Sequence, residues 1–341
     1  MGGVRFHQRS QDDRFSVVIP AFNAAAYLPD ALQSLACAHG LEQLDQIIVV
    51  DDASQDDTAE VARSVLASLK LPGQVVRSGI NLGVGRARRL GFAYVQSPVI
   101  ACVDADDCCE PNRFVDPLRL LRNPDVMLVG GDMRLWADAP IALRQDGARI
   151  KMPTRADAIA AALLFFCPVY GGICTFRRAL LQKIDAPVAA IGEDWLMAHR
   201  VVQTFGGHAV ANTGTVLARY RRHANQLTQS SSIDSTNVLP LWRGILEKTL
   251  ALDISTEELA LHAKFSPLSF KQTPVPTGAE LQRWEVWAKR LQAAANHVGY
   301  VPAAVASQIE TITHDLRKAF AGANRHPYSQ MPTLEQYELG T

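Results

Sequence analysis

The run Val99-Ile100-Ala101-Cys102-Val103 passes directly into Asp104-Ala105-Asp106-Asp107. An apolar stretch of this length fits a strand buried on both faces. Three carboxylates in four positions cannot follow it into the interior. The junction therefore belongs at the lip of a sheet, where ligands of open α/β folds bind. Clustered carboxylates repel one another unless a cation joins them, and a hard divalent metal with a phosphate meets that need.

The same plan recurs upstream. Phe15-Ser16-Val17-Val18-Ile19 reads as a buried strand stopped by Pro20. The spacing of Leu28, Leu32 and Leu35 predicts a helix over Asn23 to Ala38. Gln46 to Val50 is a second strand ending in Asp51-Asp52-Ala53-Ser54. A helix from about Asp57 to Leu69 follows, with Asp57 or Thr58 as its cap. Gln74 to Arg77 is a short third strand, Asn81-Leu82-Gly83-Val84-Gly85 a loop, and Arg86 to Gln96 a helix. Strands alternating with helices of this length imply βαβ units, hence an α/β fold with a mostly parallel sheet flanked by helices.

The pattern then changes. Val126 to Val129 and Met133 to Trp136 read as strands and Ala156 to Phe166 as a helix. A strand is expected on either side of Gly171-Gly172. Helices follow at Arg177 to Ile184 and Glu193 to Phe205, and Val216 to Tyr220 reads as the last strand. The polar stretch Gln229-Ser230-Ser231-Ser232 marks a boundary. Beyond it the chain reads as helical, with capping boxes at Ser255–Glu258 and Thr277–Glu280. Leu281, Trp284, Trp287 and Leu291 form one apolar stripe. Val305, Ile309, Ile312, Leu316 and Phe320 form another behind Pro302. The expected division is a tail over 1–14, an α/β domain over 15–232, a helical C-terminal subdomain over 233–325 covering its own core, and a tail over 326–341.

Basic and acidic residues balance at 34 each, so overall charge offers no handle for nucleic acid or an anionic membrane. The six cysteines include no CxxC pair, which suits reduced thiols in the cytoplasm. The first 14 residues contain no apolar leader, and no run of about 18 apolar residues predicts a transmembrane helix. Phosphate chemistry must therefore rest on local groups. In a parallel sheet the ends of the first, second and fourth strands share one edge. There Phe22 can cover a nucleobase, Asp52 can accept from a ring N–H, and Asp106 can hold Mg²⁺ or Mn²⁺ against a diphosphate. Arg86, Arg88 and Arg89 follow the Gly83 loop, where guanidinium groups could meet phosphate; two of the three are expected to be solvated surface charges. The loop is no dinucleotide fingerprint, because Arg88 stands where the third glycine is required, and no Walker loop is present.

Six segments resemble, in order, the family 2 glycosyltransferases of the GT-A fold over about residues 15 to 230. They are Phe15 to Asn23, Val49 to Ser54, Asn81-Leu82-Gly83 with Ala87-Arg88, Asp104-Ala105-Asp106-Asp107, Gly192-Glu193-Asp194-Trp195 with Arg200, and Tyr220-Arg221-Arg222-His223. The resemblance implies inverting transfer of a sugar from a nucleotide donor, with UDP as the default and dTDP left open, to a glycan or lipid-linked acceptor. It implies a Mn²⁺ or Mg²⁺ cofactor. Pro20, Phe22 and Asp52 would line the base, and Arg88 would belong to the donor site. Asp104 would approach the ribose or a metal water, Asp106 would bind metal, and His223 would complete the metal shell or touch the diphosphate. Asp194 would be the general base, with Glu193, Trp195 and Gly172 on the acceptor side. Phe22 replaces the family's usual Tyr and Arg89 its usual Asn.

Simpler readings stand beside these. Asp51 and Asp52 could cap a helix, and Glu193 and Asp194 could favour a helix dipole. Trp195 could be core packing, and the Gly171-Gly172 pair either a bend or a place for close approach. Asp107 reads as a local cap ahead of Pro111. Two other functions remain open. A nucleotidyltransferase would need glycine and a cation where Ala21-Phe22-Asn23-Ala24 stands. An inactive nucleotide-sugar-binding protein would not need Asp104, Asp106 and Asp194 together. The expected location is the cytoplasm, with peripheral association at the inner face of a membrane left open.

Overall fold

The computed structural model describes residues 14–137, 147–189, 192–223, 226, 235–266, 275–297 and 302–320. The expected boundary at Gln229 to Ser232 and the tail from His326 lie outside the described residues, as does all of the N-terminal tail except Arg14.

The first half is a run of βαβ units: β1 (Phe15–Ala21), α1 (Leu28–Ala36), β2 (Leu44–Asp51), α2 (Thr58–Ser68), β3 (Gly73–Arg77), α3 (Val84–Phe92) and β4 (Val99–Cys102). Strands β3, β2, β1 and β4 lie side by side and parallel, as the alternating pattern predicts. Strand β1 is buried throughout, and Leu28, Leu32 and Leu35 of α1 pack into the same core.

Strand β1 does not stop at Pro20. Val18 O accepts from Val103 N on the β4 side (3.1 Å) and Ala21 O from Asp52 N on the β2 side (2.8 Å). The alternation turns Pro20 toward β4, which has already ended at Cys102. No ladder bond is lost by the missing N–H.

The second half comprises β5 (Cys108–Cys109), α4 (Val115–Leu121), β6 (Leu128–Ala137), β7 (Arg149–Ile150), α5 (Ala156–Ala162), β8 (Thr175–Arg177), α6 (Glu193–Phe205) and β9 (Val210–Arg222). Among the described residues the sheet runs β3-β2-β1-β4-β8-β6-β9-β5, with β7 on β6. Strand β9 is parallel to β6. The β4–β8, β8–β6, β9–β5 and β6–β7 pairs are antiparallel and need no crossover helix.

Three local expectations change here. One strand, β6, runs through Gly130-Gly131 with irregular register, and a Cβ on Gly131 would come within 2.7 Å of Leu217. Val169-Tyr170 forms no strand, because Gly171–Ile173 turns as a 3₁₀ segment before β8. Arg178–Gln182 is likewise 3₁₀ rather than α.

Four further helices follow: α7 (Ser235–Leu250), α8 (Thr256–Phe265), α9 (Gly278–His297) and α10 (Pro302–Phe320). Both capping boxes form. Glu258 N donates to Ser255 Oγ (3.1 Å) and Ser255 N to Glu258 Oε2 (3.0 Å). Glu280 N donates to Thr277 Oγ1 (3.2 Å) and Thr277 N to Glu280 Oε2 (2.9 Å). The apolar stripes are buried at Trp284, Trp287, Leu291, Val305, Ile309, Ile312 and Leu316, while Phe320 is exposed.

These helices do not cover a core of their own. Their stripes join α5 and α6 in one continuous cluster. Trp242 of α7 packs edge-on against Trp195 of α6 at 5.4 Å. His262 of α8 reaches Leu164 O from Nε2 (2.9 Å) and accepts from Trp287 Nε1 at Nδ1 (3.2 Å). Burial pushes His262 down to about 4, so it bridges the layers as a neutral imidazole. No described helix is long and apolar enough to cross a membrane.

His262→Leu should leave the Leu164 carbonyl and Trp287 N–H without partners and cost about 1–3 kcal/mol. The loss should be smaller at pH 6 than at pH 8, because the unfolded chain binds a proton on His262 near pH 6 that the folded chain does not, and circular dichroism should show one melting transition. Two transitions would mean that the C-terminal helices fold on a separate core.

Candidate active site

Four loops at one edge of the parallel strands build the site. After β1, Phe22 presents its ring at 46% exposure while Pro20 is buried. Asn23 and Ala53 take left-handed backbone conformations (φ 50° and 61°) that let the two loops face each other. Asn23 N donates to Ser54 Oγ (2.9 Å), Gln55 N to Asn23 Oδ1 (2.8 Å) and Ala24 N to Thr58 Oγ1 (2.8 Å).

Asp51 and Asp52 divide the work. Asp51 is fully buried, accepting from Ser54 N (3.0 Å) and facing Arg77 Nε (3.1 Å), so its role is structural. Asp52 carries the next loop. Its Oδ1 accepts from Leu82 N (2.8 Å) and lies 3.1 Å from Ser78 Oγ, and its Oδ2 accepts from Gly83 N (2.8 Å). A carboxylate has about four acceptor positions, so Oδ2 retains room for one more donor. Neither residue caps α2. The amide of Thr58 goes instead to Asp56 Oδ1 (3.1 Å).

The acidic cluster after β4 separates into three environments. Asp107 is buried, which pushes its carboxyl well above the usual range, and Asp106 and Asp104 push the same way. It accepts from Arg221 N of β9 (2.9 Å), so it ties the loop to the sheet rather than capping toward Pro111. Asp106 is partly exposed, with Oδ2 3.0 Å from His223 Nε2. The His223 ring lies against Tyr27 at 4.2 Å, and its buried Nδ1 has no hydrogen-bond partner among the described residues. Arg221, unassigned from sequence, braces this corner. Its Nε donates to Asp106 O (2.8 Å), Nη2 pairs with Asp30 Oδ2 (2.7 Å), and the guanidinium covers Trp136 at 4.0 Å.

No three His, Cys, Asp or Glu side chains converge as a metal cage among the described residues. The Asp106–His223 pair fits a different design, in which a divalent cation takes one or two protein ligands and fills the rest of its shell with phosphate and water. Their 3.0 Å separation is that of neighbouring ligands on one ion. Asp104 is held elsewhere. Arg88 Nη2 pairs with Asp104 Oδ1 at 2.5 Å, and Arg88 Nη1 pairs with Glu193 Oε1.

This pairing revises the expectation for Arg88. The side chain is buried and its fork is taken by two carboxylates of the protein. Arg86 and Arg89 are exposed, as expected. The pairing also explains the glycines. A Cβ on Gly171 would collide with the Arg88 guanidinium, and one on Gly172 with the Asp104 carboxylate. Gly172 therefore meets Asp104 rather than an acceptor.

Asp194 sits at the start of α6, half-buried. Its Oδ2 accepts from Gly171 N (2.9 Å) and its Oδ1 from Trp195 N (2.8 Å). Burial pushes Glu193 up to about 7; Arg88 pulls it down and Asp194 pushes it up. Trp195 leaves the acceptor side. It is 1% exposed, and its Nε1 donates to Leu163 O (2.8 Å) within the core.

The order of strands is that of the GT-A fold of glycosyltransferases. The crystal structure of S. aureus TarS 1–349 in complex with UDP-GlcNAc matches with a TM-score of 0.57 at 16% identity, covering 89% of this chain and 92% of that one. The mannosyltransferase PcManGT of Pyrobaculum calidifontis, in complex with GDP-Man and Mn²⁺, matches with a TM-score of 0.54 at 14% identity, covering 92% and 88%. Residues 16–184 match the family described as Glycosyl transferase family 2, and the chain belongs to that family through this span. RP339 of Rickettsia prowazekii, described as an uncharacterized glycosyltransferase, is 25% identical over 240 residues, 68% of this chain and 71% of that protein. The matched family span ends before Glu193, Asp194 and His223.

Between about pH 4.5 and 7 the folded chain keeps a proton on Glu193 that the unfolded chain releases. The contribution of this group to stability therefore falls as pH rises through that window. In Glu193→Gln this component is absent. The difference in Tm, variant minus unaltered chain, should grow more positive from pH 4.5 to 7 by calorimetry. A difference that does not vary with pH would contradict the shift.

Proposed function

We propose that this chain is an inverting glycosyltransferase. It moves a sugar from a nucleoside-diphosphate donor, a UDP-sugar in the first instance, to a hydroxyl of a glycan or lipid-linked acceptor. One observation carries the reading. The Asp106–His223 pair and the Asp194 carboxylate are separate groups, tied together by the Asp104–Arg88–Glu193 bridge. Inversion requires such a division, with the leaving group on one face of the anomeric carbon and the acceptor with its base on the other.

On the donor side the exposed Phe22 ring offers a stacking face for the base. Asp52 Oδ2 keeps one acceptor position for a ring N–H. Asp106 and His223 would hold Mn²⁺ or Mg²⁺, which when bound neutralises charge developing on the leaving diphosphate. The UDP-GlcNAc complex of TarS and the GDP-Man and Mn²⁺ complex of PcManGT support a nucleotide sugar and a divalent cation as the ligands of such a site. Asp104, turned toward Arg88, lies beside the donor side through its own carboxylate.

On the acceptor side Asp194 takes the proton from the attacking hydroxyl. The Gly171 amide orients Oδ2 at the start of α6. Base and nucleophile act from the face opposite the diphosphate, so the anomeric configuration inverts. All six cysteines are free, which suits a reducing compartment, and we place the reaction in the cytoplasm.

Asp106→Ala should abolish Mn²⁺-dependent binding of UDP in calorimetry. Unchanged affinity would reject Asp106 as a metal ligand. Asp194→Asn should bind UDP normally while losing about 10²–10⁴-fold in turnover of UDP-GlcNAc, the scale of general-base catalysis. Retained turnover would remove Asp194 from that role.

A further inference from the structure

We propose that Arg88 is a positioning residue, locking the donor half of the site to the acceptor half without itself touching the donor. The inference rests on the glycosyltransferase reading above and assigns Arg88 a task within it.

The geometry leaves the side chain little freedom. Its two Nη atoms pair with carboxylates from distant segments, Asp104 behind β4 and Glu193 at the start of α6. Only the planar guanidinium fork reaches two acceptors at once, so the two carboxylates are set relative to each other by one rigid group.

The backbone of α3 is itself wedged. Gly85, Arg88 and Gly91 recur at intervals of three and share one face of the helix. A Cβ on Gly85 would come within 2.6 Å of Ala189 O, and one on Gly91 would collide with Val18 of β1. The helix is thus clamped between the sheet and the segment leading into α6. Gly171 closes the remaining side, since any Cβ there would strike Nη1. An arginine that reached out to phosphate would have to abandon two ion pairs and a fitted cradle, leaving Asp104 and Glu193 buried beside Asp194 with no cation.

Each half of the site hangs on this clamp. Asp104 lies two residues before Asp106. Glu193 adjoins Asp194, and Gly171, which passes under the guanidinium, holds Asp194 through its amide. A shift of the fork would change where the base sits relative to the metal-holding loop while leaving that loop's own groups in place.

The test measures calorimetric UDP–Mn²⁺ affinity and UDP release from UDP-GlcNAc across pH. The proteins are the unaltered chain, Arg88→Gln, Arg88→Lys, Glu193→Gln and the Arg88→Gln/Glu193→Gln double variant. Arg88→Gln should keep UDP–Mn²⁺ affinity within about threefold. It should lose about 100-fold in turnover, the scale of a misplaced reacting group. Arg88→Lys, which keeps the charge and guards against a folding failure, should lose turnover too because an ammonium cannot span both carboxylates. The losses of Arg88→Gln and Glu193→Gln should be far from additive in the double variant. Glu193 is faced by Arg88 from α3, by Asp194 beside it and by Asp104 from the β4 loop. Removing the one cation should move the acid limb of the turnover profile to higher pH. A fall in UDP–Mn²⁺ affinity matching the fall in turnover, with an unmoved pH profile and additive losses, would overturn the proposal and make Arg88 a donor ligand. Failure of the unaltered chain to bind UDP–Mn²⁺ would instead overturn the glycosyltransferase reading itself.

Discussion

The organising constraint is a set of buried carboxyl groups gathered at one edge of a parallel sheet. Asp51, Asp52, Asp107 and Glu193 are all largely withdrawn from water there. A buried carboxylate is costly unless donors meet it, so each one recruits them. The donors come from separate segments of the chain: the amides of Leu82 and Gly83 for Asp52, Ser54 N and Arg77 for Asp51, the Arg221 amide for Asp107, and Arg88 for Glu193 and Asp104. Satisfying the charges and building the pocket wall are one act. The loops are held by the same groups that would otherwise repel one another.

The partition among these carboxylates follows from solvent access. Asp106 stays partly exposed with a histidine at its side, and Asp194 stays half-buried at a helix start with two amides on it. In the proposed function these are the two that meet the ligands. The deeply buried carboxylates around them are occupied by the protein itself. Neighbouring acids thus serve opposite purposes, and burial rather than residue type separates them.

The C-terminal helices extend the same logic to packing. A sheet covered on one face by α5 and α6 would leave their outer surfaces apolar. Trp195, His262, Trp242 and Trp287 fill that space as an edge-to-face aromatic stack, with the one imidazole satisfied at both nitrogens. The helix that carries Asp194 is thereby backed by a continuous core.

Periodicity, the order of short motifs and the cap residues are local properties, and the sequence alone determined what depends on them. The parallel half of the sheet, helix α6, both C-terminal capping boxes and the acidic strand end all belong to that set. Tertiary structure decided what depends on distance through space. Only there does Gly171-Gly172 become the seat for Arg88 and Asp104, Trp195 a core residue, Arg221 a brace, and Asp107 a tie to β9. The bridge from Asp104 through Arg88 to Glu193 spans more than 80 positions of chain, beyond the reach of any local pattern. A side chain's type states which partners it can take; only the fold brings one of them within reach and removes the water that would compete.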